Sequence, residues 1–103
     1  CVIPTRNARN GQLFTSNGKI NIRNAKFRDD DSPIDSNNDN IISQNYTKAY
    51  LHHLFRTEEI LGYRIATQHN LSFYNNLVTN AAKAIQKNNF LSWSKTFLNN
   101  YNN

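Results

Sequence analysis

What this sequence does without narrows it first. Its 103 residues include one cysteine, two prolines, three glycines and no methionine. A single cysteine cannot close an internal disulfide, which argues against a small stapled secreted fold. There is no apolar run long enough to span a bilayer, no signal-peptide pattern and no lipidation motif, so a cytoplasmic protein with no membrane role is expected. With no methionine, the chain as written does not open on a translation start. Cys1-Val2-Ile3-Pro4 reads as the end of a buried strand entered midway, with Pro4 ending its ladder, and we expect a piece of a larger protein. Acidic residues are absent from the first 28 positions.

That last absence shapes the charge. Six basic residues (Arg6, Arg9, Lys19, Arg23, Lys26 and Arg28) precede Asp29, whereas the remaining 75 positions hold six bases and seven acids. The formal charge of +5 is therefore local, which favours a docking surface for a polyanion over general solubility. Charged residues make up only 18% of the chain, and asparagine, at 19 residues, carries much of the polar load. A hydrophobic content of 38% allows a modest core in one small domain.

Within the basic part, Pro4 and Gly11 bracket Thr5-Arg6-Asn7-Ala8-Arg9-Asn10, which has no apolar residue larger than alanine. Two guanidinium groups among amide side chains can hold phosphates and base edges. A solvated basic loop and a nucleic-acid contact loop fit this composition equally. Residues 12–15 and 19–22 read as short strands around Ser16-Asn17-Gly18, with Asn-Gly predicting a type I′ hairpin turn. Ile20 and Ile22 alternate with Lys19, Asn21 and Arg23 to give an apolar and a basic face, and residues 24–27 could extend further. Asp29-Asp30-Asp31-Ser32-Pro33 reads as a solvated turn rather than a metal site, and residues 35–40 as a polar linker.

The period then becomes helical. Tyr46, Ala49, Tyr50, His53 and Leu54 predict a helix over about residues 45–55, with Ser43 able to cap its first turn. Thr57-Glu58-Glu59 reads as a second helix start that Gly62 interrupts. A longer helix is predicted over about residues 65–87, burying Phe73, Tyr74, Leu77, Val78, Ala81 and Ile85. Asn88-Asn89 ends it, and Phe90, Trp93, Phe97 and Tyr101 mark a last amphipathic helix. The expected fold of these residues alone is a β-hairpin region followed by a small helical bundle.

No catalytic constellation stands out. Cys1 has no obvious base, and a lone cysteine is more often a small buried hydrophobe than a nucleophile. His52 and His53 are adjacent, so on a helix they point about 100° apart and cannot share a metal. The stripe Tyr46, Tyr50 and His53 suits an interface, but ordinary packing against the longer helix explains it as well.

Cys1-Val2-Ile3-Pro4-Thr5-Arg6-Asn7-Ala8-Arg9-Asn10-Gly11 closely resembles the segment that follows the nucleophilic aspartate in bacterial tRNA-guanine transglycosylases. The likeness continues in register through Ile22-Arg23-Asn24-Ala25-Lys26, Ala49-Tyr50-Leu51-His52-His53-Leu54, Glu59-Ile60-Leu61-Gly62, His69-Asn70-Leu71 and Phe73-Tyr74. The resemblance implies an α/β parent fold, a (β/α)8 barrel with an inserted zinc subdomain, of which this chain is the C-terminal part. Residues 1–34 would then be the end of a barrel strand, a basic tRNA-contact loop and the hairpin. Residues 35–103 would be a degenerate zinc-type subdomain and C-terminal helices.

The implied activity is exchange of guanine at the tRNA wobble position for a 7-deazaguanine, queuine or its precursor preQ1, in queuosine biosynthesis. Thr5, Arg6, Asn7, Ala8 and Arg9 would recognise the wobble base and its neighbours, the partner being a tRNA with G at that position. Tyr46, Tyr50 and His53 would contribute to a homodimer contact. The nucleophilic aspartate matches the residue directly before Cys1, so this chain alone is expected to be inactive. The family zinc site is Cys-x-Cys-x-x-Cys with a distant His, and its positions here are Asn38, Asn40, Ser43 and His69. Neutral oxygens cannot replace three thiolates for Zn²⁺, so no zinc and no other cofactor is expected. Its loss should loosen residues 35–44, with Ile41-Ile42 packing inward in partial compensation. A stand-alone RNA-binding module and an inactive structural remnant of the enzyme are the alternatives.

Overall fold

In the computed structural model, which describes residues 2–36 and 40–102, the chain opens on a helix rather than a strand. Helix α1 (Val2–Arg9) takes Pro4 in its first turn, where a missing N–H costs no intrahelical bond. Its inward side carries Pro4 and Ala8, four residues apart and both buried. The strand expected at the start, and the loop expected at residues 5–9, are both corrected by this helix. Gly11, at φ 81°, closes it, its N–H donating to the Ala8 carbonyl at 3.0 Å.

Strands β1 (Gln12–Thr15) and β2 (Gly18–Asn21) then pair antiparallel, Leu13 opposite Ile20 and Thr15 opposite Gly18. The hairpin is where the sequence predicts it, but its loop is Ser16-Asn17 and not Asn-Gly. Asn17 keeps a negative φ, and the positive φ of 114° falls on Gly18, which is already in the ladder. A second reason for glycine there is steric: a Cβ would meet the Tyr101 carbonyl oxygen at 2.7 Å. Residues 24–27 are not extended; Ala25–Phe27 form a 3₁₀ turn, its first turn capped by the Asn24 side chain on the Lys26 N–H at 3.0 Å.

Helices α2 (Ile41–Asn45) and α3 (Lys48–Arg56) replace the single predicted helix over residues 45–55. Tyr46 is extended between them, so each helix needs its own cap. Asn40 caps α2 through the Ile42 N–H at 2.8 Å, and Thr47 caps α3 through the Tyr50 N–H at 3.0 Å. Ser43 caps neither and is buried.

Helix α4 (Ile60–Gln86) is the spine of the molecule. Its 27 residues span about 40 Å, consistent with a long dimension of 47 Å, and α1, β1, α2, α3 and α5 (Phe90–Tyr101) all pack on it. Gly62 does not interrupt it. That glycine is buried where α3 crosses, and a Cβ on it would lie 3.0 Å from the Leu54 Cβ. The helix start predicted at Thr57-Glu58-Glu59 is where α4 begins, with Glu59 as its N-cap residue but without a side-chain cap bond. Glu58 terminates α3 in the left-handed region at φ 55°, with its N–H on Phe55 O and the Glu59 N–H on Leu54 O, the two bonds of a Schellman ending. Asn88 ends α4 the same way.

The main core gathers Ala8, Leu13, Ile22, Phe27, Ile34, Leu51, Leu54, Phe55, Ile65 and Ala66. It lies under the first half of α4. The second half is covered mainly by α5, through the Phe73, Phe97 and Tyr101 rings, whose centroids are 5.6–6.4 Å apart, and at its start by Phe14 of β1 against Phe73 and Tyr74. Val78 and Ile85, predicted as core, are therefore 65% and 60% exposed. Of the two isoleucines expected to fill the polar segment, Ile42 packs on the core and Ile41 is exposed. Among the described residues, no helix is long and apolar enough to cross a membrane.

Candidate nucleic-acid interface

The predicted contact residues Thr5, Arg6, Asn7, Ala8 and Arg9 all lie on α1, and the helix sorts them. Ala8 faces the core, Thr5 and Asn7 are half-buried, and Arg6 and Arg9 are exposed. Three residues apart, the two arginines share one side of the helix and occupy its last turn, where cations complement the helix dipole. Two other bases of the N-terminal segment are held against aromatic faces. The Arg23 guanidinium lies 5.2 Å from the Phe55 ring centroid, and the Lys26 ammonium 5.1 Å from that of Phe27.

What fixes α1 and the hairpin is a pair of polar residues that composition alone reads as surface. His69 and Asn70, on α4, are both fully buried. They take up the outer edge of β1. Asn70 Oδ1 accepts the Phe14 N–H at 3.1 Å, and its Nδ2 donates to the carbonyls of Gln12 at 3.0 Å and Pro4 at 3.1 Å. His69 Nε2 donates to the Phe14 carbonyl at 2.7 Å. Side chains of a helix thus stand where a third strand would pair, satisfying backbone groups that burial would otherwise orphan.

The His69 contact also fixes its tautomer. A carbonyl only accepts, so Nε2 carries the proton and Nδ1 accepts from the Ser43 hydroxyl at 2.6 Å. Burial lowers the pKa of the imidazole, while the Phe14 carbonyl and the Asp35 charge act in the opposite direction. Two of the four positions matched to the zinc site, Ser43 and His69, are therefore brought together. A third, Asn40, is the α2 cap, and Asn38 lies outside the described residues. This donor set does not fit zinc: the Nδ1 lone pair is taken by a hydroxyl proton, and no thiolate accompanies it. Among the described residues no cluster of three or more His, Cys, Asp or Glu side chains could hold a metal ion.

The histidine pair divides as helix geometry requires. His52 is buried with Nδ1 on the Ile22 carbonyl at 2.7 Å, and His53 is exposed. Tyr46 and Tyr50 stack at 5.6 Å with their planes 13° apart; Tyr46 is half-buried and Tyr50 is 41% exposed. The stripe Tyr46, Tyr50 and His53 therefore presents its last two members to the outside.

Residues 1–103 match the family model described as queuine tRNA-ribosyltransferase. The chain is 54% identical over 101 residues to the queuine tRNA-ribosyltransferase of Francisella tularensis subsp. novicida (strain U112), and 52% identical over 101 residues to that of F. tularensis subsp. mediasiatica (strain FSC147). In each case the alignment covers 98% of this chain and 28% of the relative, so the chain spans little more than a quarter of the length of these proteins. On the match over its whole length, the chain belongs to the queuine tRNA-ribosyltransferase family.

Proposed function

We propose that this chain acts as the C-terminal segment of a tRNA-guanine transglycosylase with a (β/α)8 barrel, contributing anticodon recognition and homodimer surface to a cytoplasmic enzyme. The observation that carries this reading is the family match over residues 1–103. The exposed Arg6 and Arg9 on α1 support the tRNA-contact role, since guanidinium forks suit phosphates and base edges. The partner would be a tRNA with guanine at the wobble position.

In the proposed reaction an aspartate attacks the ribose C1′ and guanine leaves. An incoming 7-deazaguanine then displaces the enzyme from the covalent intermediate. The reading assigns that aspartate to the position directly before Cys1, so the 103 residues are expected to hold tRNA without exchanging its base. Base exchange on a suitable tRNA tests this: incorporation by the isolated chain would sink it. Arg6→Ala and Arg9→Ala should each weaken salt-dependent tRNA binding by about 1–3 kcal/mol if their contacts are to bases.

The zinc positions carry a second test. With Ser43 donating to His69 Nδ1, the join between α2 and α4 is a hydrogen bond in place of a metal. Elemental analysis should find no stoichiometric zinc, and one zinc per chain would overturn the assignment. The exposed Tyr50 and His53 would belong to the dimer contact. Replacing both by alanine should shift a monomer–dimer equilibrium, measured by sedimentation, towards monomer.

A further inference from the structure

Between α1 and α4 lies an open cleft of about 400 Å³, lined by Arg9, Tyr63, Arg64, Thr67, Gln68 and Leu71. It brings arginines from two different helices to one cavity, together with Thr67 and Gln68, and no carboxylate residue among the described residues lines it. Both arginines are exposed at this open cleft, so an anion entering it is attracted by two charges at once. Arg64 and Gln68 are both exposed and lie four residues apart, on the same face of α4, so they can act on one ligand. Tyr63 forms a fixed wall, its ring half-buried and in edge contact with Phe55 at 5.2 Å.

We propose that this cleft holds a backbone phosphate of the bound RNA, gripped by Arg9 from one side and Arg64 from the other. The proposal rests on the tRNA reading above and extends its surface from α1 onto α4. Planar guanidinium forks match phosphate oxygens bidentately, and two of them can share the two non-bridging oxygens of one phosphodiester. RNA is favoured over a free anion because Arg9 also belongs to the exposed Arg6–Arg9 side of α1. A strand lying along that side therefore runs past the mouth of the cleft. Arg64 then adds affinity without adding sequence preference.

The test is binding of the full 103-residue chain to an anticodon stem-loop RNA between about 50 and 200 mM salt. Arg64→Ala should weaken binding several-fold, equally for stem-loops of different loop sequence, and lower the slope of log affinity against log salt by about 1. Arg64 is exposed and alanine favours helices, so the melting curve should not change. Lys95→Ala removes an equal charge from an exposed site on α5 and should leave the slope as it was. If the parent chain binds the stem-loop but Arg64→Ala behaves like Lys95→Ala, the cleft is not a phosphate site while the tRNA reading stands. If the parent chain binds no stem-loop, both fall together. Displacement of the RNA by poly-glutamate as effectively as by unlabelled stem-loop would also overturn the proposal, because the cleft would then prefer no phosphate.

Discussion

Replacing Asn70 by alanine should unfold much of what the hairpin and α1 depend on. The amide is fully buried and makes three hydrogen bonds, to Phe14 N–H, Gln12 O and Pro4 O. Pro4 lies inside α1, where its carbonyl also faces the helical ladder, so its loss is partial. Phe14 N–H and Gln12 O are on the β1 edge turned away from β2. Each buried group left unpaired costs about 1–3 kcal/mol, so the two together cost about 2–6. A water entering the vacated space would find three partners and could bring the loss toward the lower end. We expect about 4 kcal/mol, against a total of roughly 5–15 for a domain of this size. In thermal melts that corresponds to a fall of about 15 °C or more. Urea titration of parent and variant at equal denaturant slope is the cleaner assay. A loss below about 1 kcal/mol with an unchanged slope would refute the reasoning, because the edge of β1 would then not need the amide.

Other expectations follow from single positions. Burial lowers the His69 pKa, so the unfolded chain takes up the proton first; stability should be constant above the ordinary value of 6.5 and decline as pH falls below it. Melts from pH 8 to 5 should show this slope in the parent and lose it in His69→Gln. The hydrogen-bonded Asp30, whose pKa is lowered from 3.8 chiefly by the Ser32 side chain and backbone, acts only in a more acid window. Glu58→Gly relieves a non-glycine residue at φ 55° on an exposed Schellman ending and should stabilise by about 0.5–1 kcal/mol in the same melts. Gly18→Ala would place a Cβ 2.7 Å from the Tyr101 carbonyl at a φ of 114°. It should cost about 1–3 kcal/mol and raise hydrogen exchange at the end of α5, and protection equal to the parent's would count against that contact.

Much of the architecture could be read without coordinates, for reasons that are local. Ser16-Asn17-Gly18 between alternating apolar residues marks a hairpin because turn chemistry acts over four residues. Phe90, Trp93, Phe97 and Tyr101 mark α5 because helical period acts over three or four. Structure departs from the local pattern where neighbours in space overrule neighbours in sequence. Val2-Ile3-Pro4 has strand-like composition, yet Pro4 suits a first helical turn once Ala8 has a core to face. Gly62 has the propensity of a helix breaker, yet the crossing of α3 requires its missing Cβ and α4 runs straight through.

The site divides along the same line. Sequence alone determined the localised positive charge, the arginine pair of the first segment and the register of motifs that the family match bears out. Those properties belong to residue identities and spacings. Only the tertiary structure decided that Ala8 turns inward while Arg6 and Arg9 turn outward, and that Arg64 joins Arg9 at one cleft from 55 positions away. It also decided that His69 and Asn70 are buried. A polar side chain can be buried when its partners wait at the right distance, and here those partners are backbone groups of a strand more than 50 residues earlier. No window along the chain contains both sides of that bond.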